Sequence, residues 1–181
     1  ANTGDANYSN PVSIGSGAYV KGDDAISIGW KAYGYGIAIG RDAEATGHAT
    51  GGSVAIGHYA TATGGDHRAT AVGYSADSTG ERSTSIGTNS SAGTQSVALG
   101  DTSTGGSYAT AVGYSSWTYA GGIAIGISTR AGGLGSPTSE SASIAIGYGA
   151  KAEYEKGISI GKDTVSHAYG IALGQFTQAG K

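Results

Sequence analysis

Metal binding and proton transfer depend first on histidine and carboxylate side chains. The four histidines, His48, His58, His67 and His167, share no common spacing. A metal site needs convergent ligands, which a shared phase would supply, so these read as solvated surface residues. Asp66-His67-Arg68 sets a carboxylate, an imidazole and a guanidinium in a row, with no activated nucleophile beside them. Calcium-binding rolls carry an aspartate in every G-G-x-G-x-D repeat. Here Asp42, Asp101 and Asp163 follow glycines only sporadically, and Gly132-Gly133-Leu134-Gly135-Ser136 lacks the acid. The glycines close strands and lead into no helix, so they build no phosphate cradle. The chain is therefore expected to hold no catalytic residue, no metal and no cofactor.

What positions any functional side chain is a repeat. Large, small, large and glycine arrive in that order twelve times. The copies begin Val12-Ser13-Ile14-Gly15, Ile26-Ser27-Ile28-Gly29 and Ile37-Ala38-Ile39-Gly40, and end Ile158-Ser159-Ile160-Gly161 and Ile171-Ala172-Leu173-Gly174. Successive glycines lie 14, 11, 17, 16, 14, 13, 13, 13, 21, 14 and 13 residues apart. That period is too short for a helical pair or a propeller blade and fits one turn of a β-solenoid. Alternation of large and small is the strand signature. A second alternating stretch starts three residues after each glycine, with small residues such as Ala60 and Ala62, and a further glycine often follows, as at Gly64. Two strands and two corners per turn result, giving an all-β, single-chain solenoid of about twelve two-strand turns.

Packing the Ile/Val face of one strand on the Ala/Ser face of the other is the expected interior. Between the two large residues of each copy stands only Ala or Ser. A face meeting water would show Lys, Glu or Gln somewhere among the copies. That face is expected to pack closely against neighbouring copies of the chain around a symmetry axis. Whether the large or the small set faces the axis is left open by the pattern. The 17- and 16-residue turns around 46–53 and 64–68 are expected to bulge. Residues 1–10, which lack the motif, are expected to cap a roll spanning 11–181, with a protruding loop at about 128–142.

Positions one and four residues after each core glycine are unconstrained in type and point outward on this count. Tyr19, Trp30, Tyr33, Tyr74, Tyr114, Trp117 and Tyr148 occupy them. Tyr and Trp dominate interface hot spots, so these seven are the ligand-binding candidates. The competing expectation is that they form ladders shielding the sheet from water.

Composition narrows the rest. Glycine supplies 35 of 181 residues, cysteine and methionine none, and the net charge is −3. Basic residues are scattered, unlike the clustered face of a nucleic-acid binder. Without cysteine there are no disulfides or thiolate metal sites. No apolar run is long enough to span a membrane, and no signal peptide is present, so the chain reads as a piece of a longer processed protein contacting no membrane itself.

The copy Gly52-Ser53-Val54-Ala55-Ile56-Gly57-His58-Tyr59-Ala60-Thr61-Ala62-Thr63-Gly64 resembles the S-V-A-I-G-x-x-A-x-A-x-G repeat of YadA-like head domains of trimeric autotransporter adhesins. The resemblance covers nearly the whole chain. It implies a left-handed parallel β-roll assembled as a homotrimer at the tip of a fibre on the bacterial cell surface. Members of that family attach bacteria to extracellular-matrix proteins such as collagen, fibronectin and laminin, to host-cell receptors, and to one another. Stalk and outer-membrane anchor would belong to regions outside this chain, which has no heptad segment or barrel. A structural trimeric β-rod, such as a phage tail fibre or spacer, is the alternative. An ice-binding solenoid would need a regular Thr-x-Thr array, and Thr61-Ala62-Thr63 is isolated.

Overall fold

The computed structural model describes residues 2–3, 8–47, 52–65, 68–132 and 142–180. Among them there is no helix, and the chain forms an all-β parallel solenoid of about 11 turns. The count is one below the expected twelve because twelve three-residue strands bound eleven intervals. The turns fall into two compact units, Ala1–Thr94 and Gln95–Lys181.

In the first unit the three-residue strands are Val12–Ile14, Ile26–Ile28, Ile37–Ile39, Val54–Ile56, Thr70–Val72 and Thr84–Ile86. Each pairs in parallel with the one before it, small residue over small residue: Ala38 opposite Ala55, Ala55 opposite Ala71, Ala71 opposite Ser85. β-branched residues suit this pleated, half-buried surface. A second parallel ladder is built from two-residue strands: Asn2–Thr3, Tyr19–Val20, Tyr33–Gly34, Glu44–Ala45, Thr61–Ala62, Asp77–Ser78 and Ser91–Ala92. The N-terminal segment thus contributes one short strand, with Asn2 opposite Tyr19.

The second unit repeats the plan. Its three-residue strands run from Val97–Leu99 through Thr110–Val112, Ile123–Ile125, Ile144–Ile146 and Ile158–Ile160 to Ile171–Leu173. Its short strands run from Thr104–Gly105 to Gln178–Ala179. Ile123 pairs with Ile144 although this is the longest repeat, so the insertion leaves the register intact. Of the loop expected at about 128–142, Arg130–Ala131 forms a strand, and residues 133–141 lie outside the described residues. Of the expected bulges, 48–51 and 66–67 lie outside them too.

The structure overturns the expected interior. The small middle residue of each three-residue strand points into the coil, and the large ones point out. Ala69, Ala71, Ala76 and Ser78 fill one turn, all fully buried. The largest fully buried side chains are Val20, Thr118, Thr129 and Thr164. Two facing ladders this close leave room for a Cβ or a hydroxyl and little else. Small packs on small, and the restriction to Ala and Ser reports the width of the coil rather than a contact with another chain. Several serines that replace alanine bond one another inside: Ser78 bonds Ser83 at 2.6 Å, and Ser85 bonds Ser90 at 2.7 Å, whereas the buried hydroxyls of Ser159 and Ser166 have no partner among the described residues.

Corner geometry explains the invariant glycine. The core glycines have φ between 113° and 139°, and a Cβ on Gly73 would overlap the carbonyl oxygen of Gly87 in the next turn. Two residues further on, the chain is left-handed even without glycine, with φ of 54° at Lys31, 59° at Tyr59 and 56° at Thr102. The second-corner glycines Gly36 and Gly80 keep ordinary φ and instead permit close backbone approach.

Candidate functional site

Two surfaces of the coil carry features beyond what folding requires. The first is the outer face of the three-residue strands, where two rows of aliphatic side chains run along each unit. Ile14, Ile56 and Ile86 are exposed in the first unit, and Ile125, Ile160 and Leu173 in the second. Soluble monomers rarely leave so continuous an apolar surface uncovered.

The second surface is the corner that follows each core glycine. Its backbone is laddered from turn to turn: Asp42 N–H donates to the Trp30 carbonyl, Tyr59 N–H to Arg41, and Ser75 N–H to His58. Side chains one residue after each glycine therefore stand in register, one turn apart. In the first unit this row reads Trp30, Arg41, His58, Tyr74. In the second, Ser128 N–H donates to the Tyr114 carbonyl, Gly149 N–H to Ile127 and Asp163 N–H to Tyr148, giving the row Tyr114, Ile127, Tyr148, Lys162.

The seven aromatic candidates divide between two places. Trp30, Tyr74, Tyr114 and Tyr148 stand exposed on the corners. Tyr19, Tyr33 and Trp117 stand half-buried on the short-strand ladder. Tyr19 and Tyr33 stack at 5.6 Å between centroids, at an interplanar angle of 15°. Trp117 meets Tyr119 edge-on at 4.2 Å and carries Arg130 over its ring at 5.6 Å. Tyr74 meets His58 edge-on at 5.3 Å. Lys31 Nζ lies 4.3 Å from the Trp30 ring, and Lys162 Nζ 5.9 Å from that of Tyr148. The candidates thus form no single patch.

Basic side chains repeatedly sit over rings, a cation–π arrangement that also shields the ring faces. Lys21 is held more strongly protonated than usual, first by its hydrogen bond to the Tyr35 hydroxyl and then by the Tyr33 and Tyr35 charges that form at high pH.

Arg41, His58 and Tyr59 were not among the candidates, yet they make a side-chain cluster on the first corner. Arg41 Nε donates to His58 Nε2 at 2.6 Å, and the His58 ring stacks on Tyr59 at 4.0 Å. Arg41 also lies over the Tyr59 ring at 5.6 Å, and its Nε is 3.9 Å from Asp42 Oδ2. The signal was present: Arg41 and His58 share the phase of Trp30 and Tyr74 in consecutive turns. His58 is therefore half-buried and bonded, not simply solvated. His167 is likewise half-buried, with Nδ1 enclosed and lacking a hydrogen-bond partner among the described residues. His48, Asp66 and His67 lie outside those residues. Among the described residues no group of three or more His, Cys, Asp or Glu could hold a metal ion.

The family model for the YadA head domain repeat matches residues 12–32, 51–66, 67–90 and 141–164. The chain carries a YadA-like head domain. No curated protein matches it significantly. Each matched segment of the YadA-like head includes a three-residue strand and the start of a corner. In the first unit the matched segments take in Trp30, His58 and Tyr74 of the corner row, while Arg41 and the strand Ile37–Ile39 fall between them.

Proposed function

We propose that this YadA-like head is a non-catalytic adhesin module on a bacterial surface, held there through parts of the parent protein outside this chain. Three copies pack through the aliphatic rows of their three-residue strands. The corners and short-strand ladders then present side chains to a matrix protein or cell receptor of the host, or to heads on neighbouring cells. The exposed aliphatic rows carry this reading. They would be costly in water, and a threefold arrangement covers them in every copy at once. The outward aromatics Tyr19, Trp30, Tyr33, Tyr74, Tyr114, Trp117 and Tyr148 are the proposed contact residues. Threefold repetition lets shallow contacts add up through multivalency.

The test is attachment. Purified head should bind immobilised matrix proteins or host cells, and bacteria lacking the parent gene should attach less. If neither happens, a structural β-rod replaces the adhesin.

A further inference from the structure

The first-unit corner combines features that general shielding does not require. Trp30, Tyr59 and Tyr74 stand on successive or near-successive turns of one ladder, exposed by 46%, 43% and 50%. Between and beside them are the exposed cations Lys31 and Arg41. Arg41 is not free to wander. Its Nε is committed to His58 Nε2, and its plane lies near the Tyr59 ring. That bond engages Nε alone, leaving the paired terminal nitrogens for a second acceptor.

We propose that the corner formed by Trp30, Lys31, Arg41, His58, Tyr59 and Tyr74 binds an acidic carbohydrate, carboxylated or sulfated. An oriented guanidinium presents two parallel donors that match a carboxylate or sulfate. Lys31 adds a second positive charge one turn away. Exposed aromatic faces take the C–H surfaces of sugar rings, whose opposite edges keep their hydroxyls in water. A parallel ladder repeats every ~4.8 Å, close to the advance of one sugar ring along an extended chain, so an oligosaccharide lying along the corner meets a new side chain at each residue. Asp42 lies beside the cluster, with its Oδ2 3.9 Å from Arg41 Nε. The second-unit row of Tyr114, Ile127, Tyr148 and Lys162 has no arginine to present such a pair of donors. This inference rests on the adhesin reading for its biological role only, because the binding is a property of the purified chain.

Titrations of the intact chain with a heparin-derived oligosaccharide, a hyaluronan oligosaccharide and neutral dextran test it. Binding to at least one acidic probe, weakening as salt rises and absent for dextran, is expected. R41Q should weaken that binding about tenfold and W30A by a similar factor, while Tyr108→Ser, at an exposed second-unit tyrosine outside the corner rows, leaves it unchanged. Arg41 and Trp30 are exposed, and a circular-dichroism melt confirms that each variant still folds. Equal binding by wild type and R41Q, equal loss in Tyr108→Ser, or no preference for acidic over neutral probes overturns the proposal. Host cells stripped of glycosaminoglycan, compared with purified bacterial envelope polysaccharide, separate the two sources of such a ligand, and binding of either through Arg41 upholds the site. Loss of attachment to matrix proteins with acidic-glycan binding intact would sink the matrix-adhesin reading and leave this one standing.

Discussion

Ala55 and Ile56 are consecutive in one strand and face opposite worlds: Ala55 is fully buried inside the coil, and Ile56 is 37% exposed on its outer face. Enlarging the first and truncating the second should therefore have different consequences. Ala55→Ile forces a branched side chain into a space that elsewhere admits at most valine, and should destabilise the chain by about 3 kcal/mol. Ile56→Ala should leave the fold of a single chain intact and weaken association between chains. Thermal melts read the first effect and sedimentation the second.

Corner conformation gives opposite outcomes at two residue types. Gly73→Ala places a Cβ on the carbonyl of Gly87 in a backbone region closed to L side chains, and should cost at least about 3 kcal/mol. Thr102 is a β-branched residue held at φ 56°, where Asn89 stands at φ 51° in the equivalent place of another turn. Thr102→Asn should stabilise by roughly 0.5–1 kcal/mol, because asparagine tolerates the left-handed region better. Chemical denaturation of both variants checks the pair.

The buried serine pairs should behave non-additively. Ser83 bonds both Ser78 and the Gly80 carbonyl. Ser83→Ala strands the Ser78 hydroxyl and should cost about 1–2 kcal/mol. Ser78→Ala with Ser83→Ala recreates the Ala62 and Ala69 arrangement of the preceding turn, and should be close to neutral. A double-mutant cycle by urea denaturation measures the difference.

Asp77 links stability to pH. It stands between Thr61 and Ser91 on the short-strand ladder, its Oδ1 enclosed without a hydrogen-bond partner among the described residues. Burial raises its pKa above the usual carboxylate value. The folded chain then binds this proton more tightly than the unfolded one, so its contribution to stability falls as pH rises through the carboxylate range. Asp77→Asn should stabilise at neutral pH, by less than about 1 kcal/mol because the group is partly exposed, and should remove that part of the pH dependence. Melts at acid and neutral pH read both effects.

Strand positions were legible down to single residues, because Ile-Ala-Ile-Gly cannot slip by one without turning its large side chains over. What alternation could not decide was which face looks inward. It shows that Ile37 and Ile39 share a side and Ala38 takes the other, and both assignments satisfy the pattern. The deciding quantity is the distance between the two ladders, which no single repeat expresses. Tyr19 and Tyr33 were readable as outward, and their stacking followed from equal phase in adjacent turns. The Arg41–His58 bond was harder to see, because the histidines were compared only with one another and not with the other residues of their own phase.

Sedimentation equilibrium of the intact chain, from nanomolar to micromolar concentration, tests the central claim most directly. Outward Ile and Val rows that need covering predict a mass of three chains and a melting temperature that falls on dilution. A single chain that stays folded and equally heat-resistant at every concentration would contradict the account.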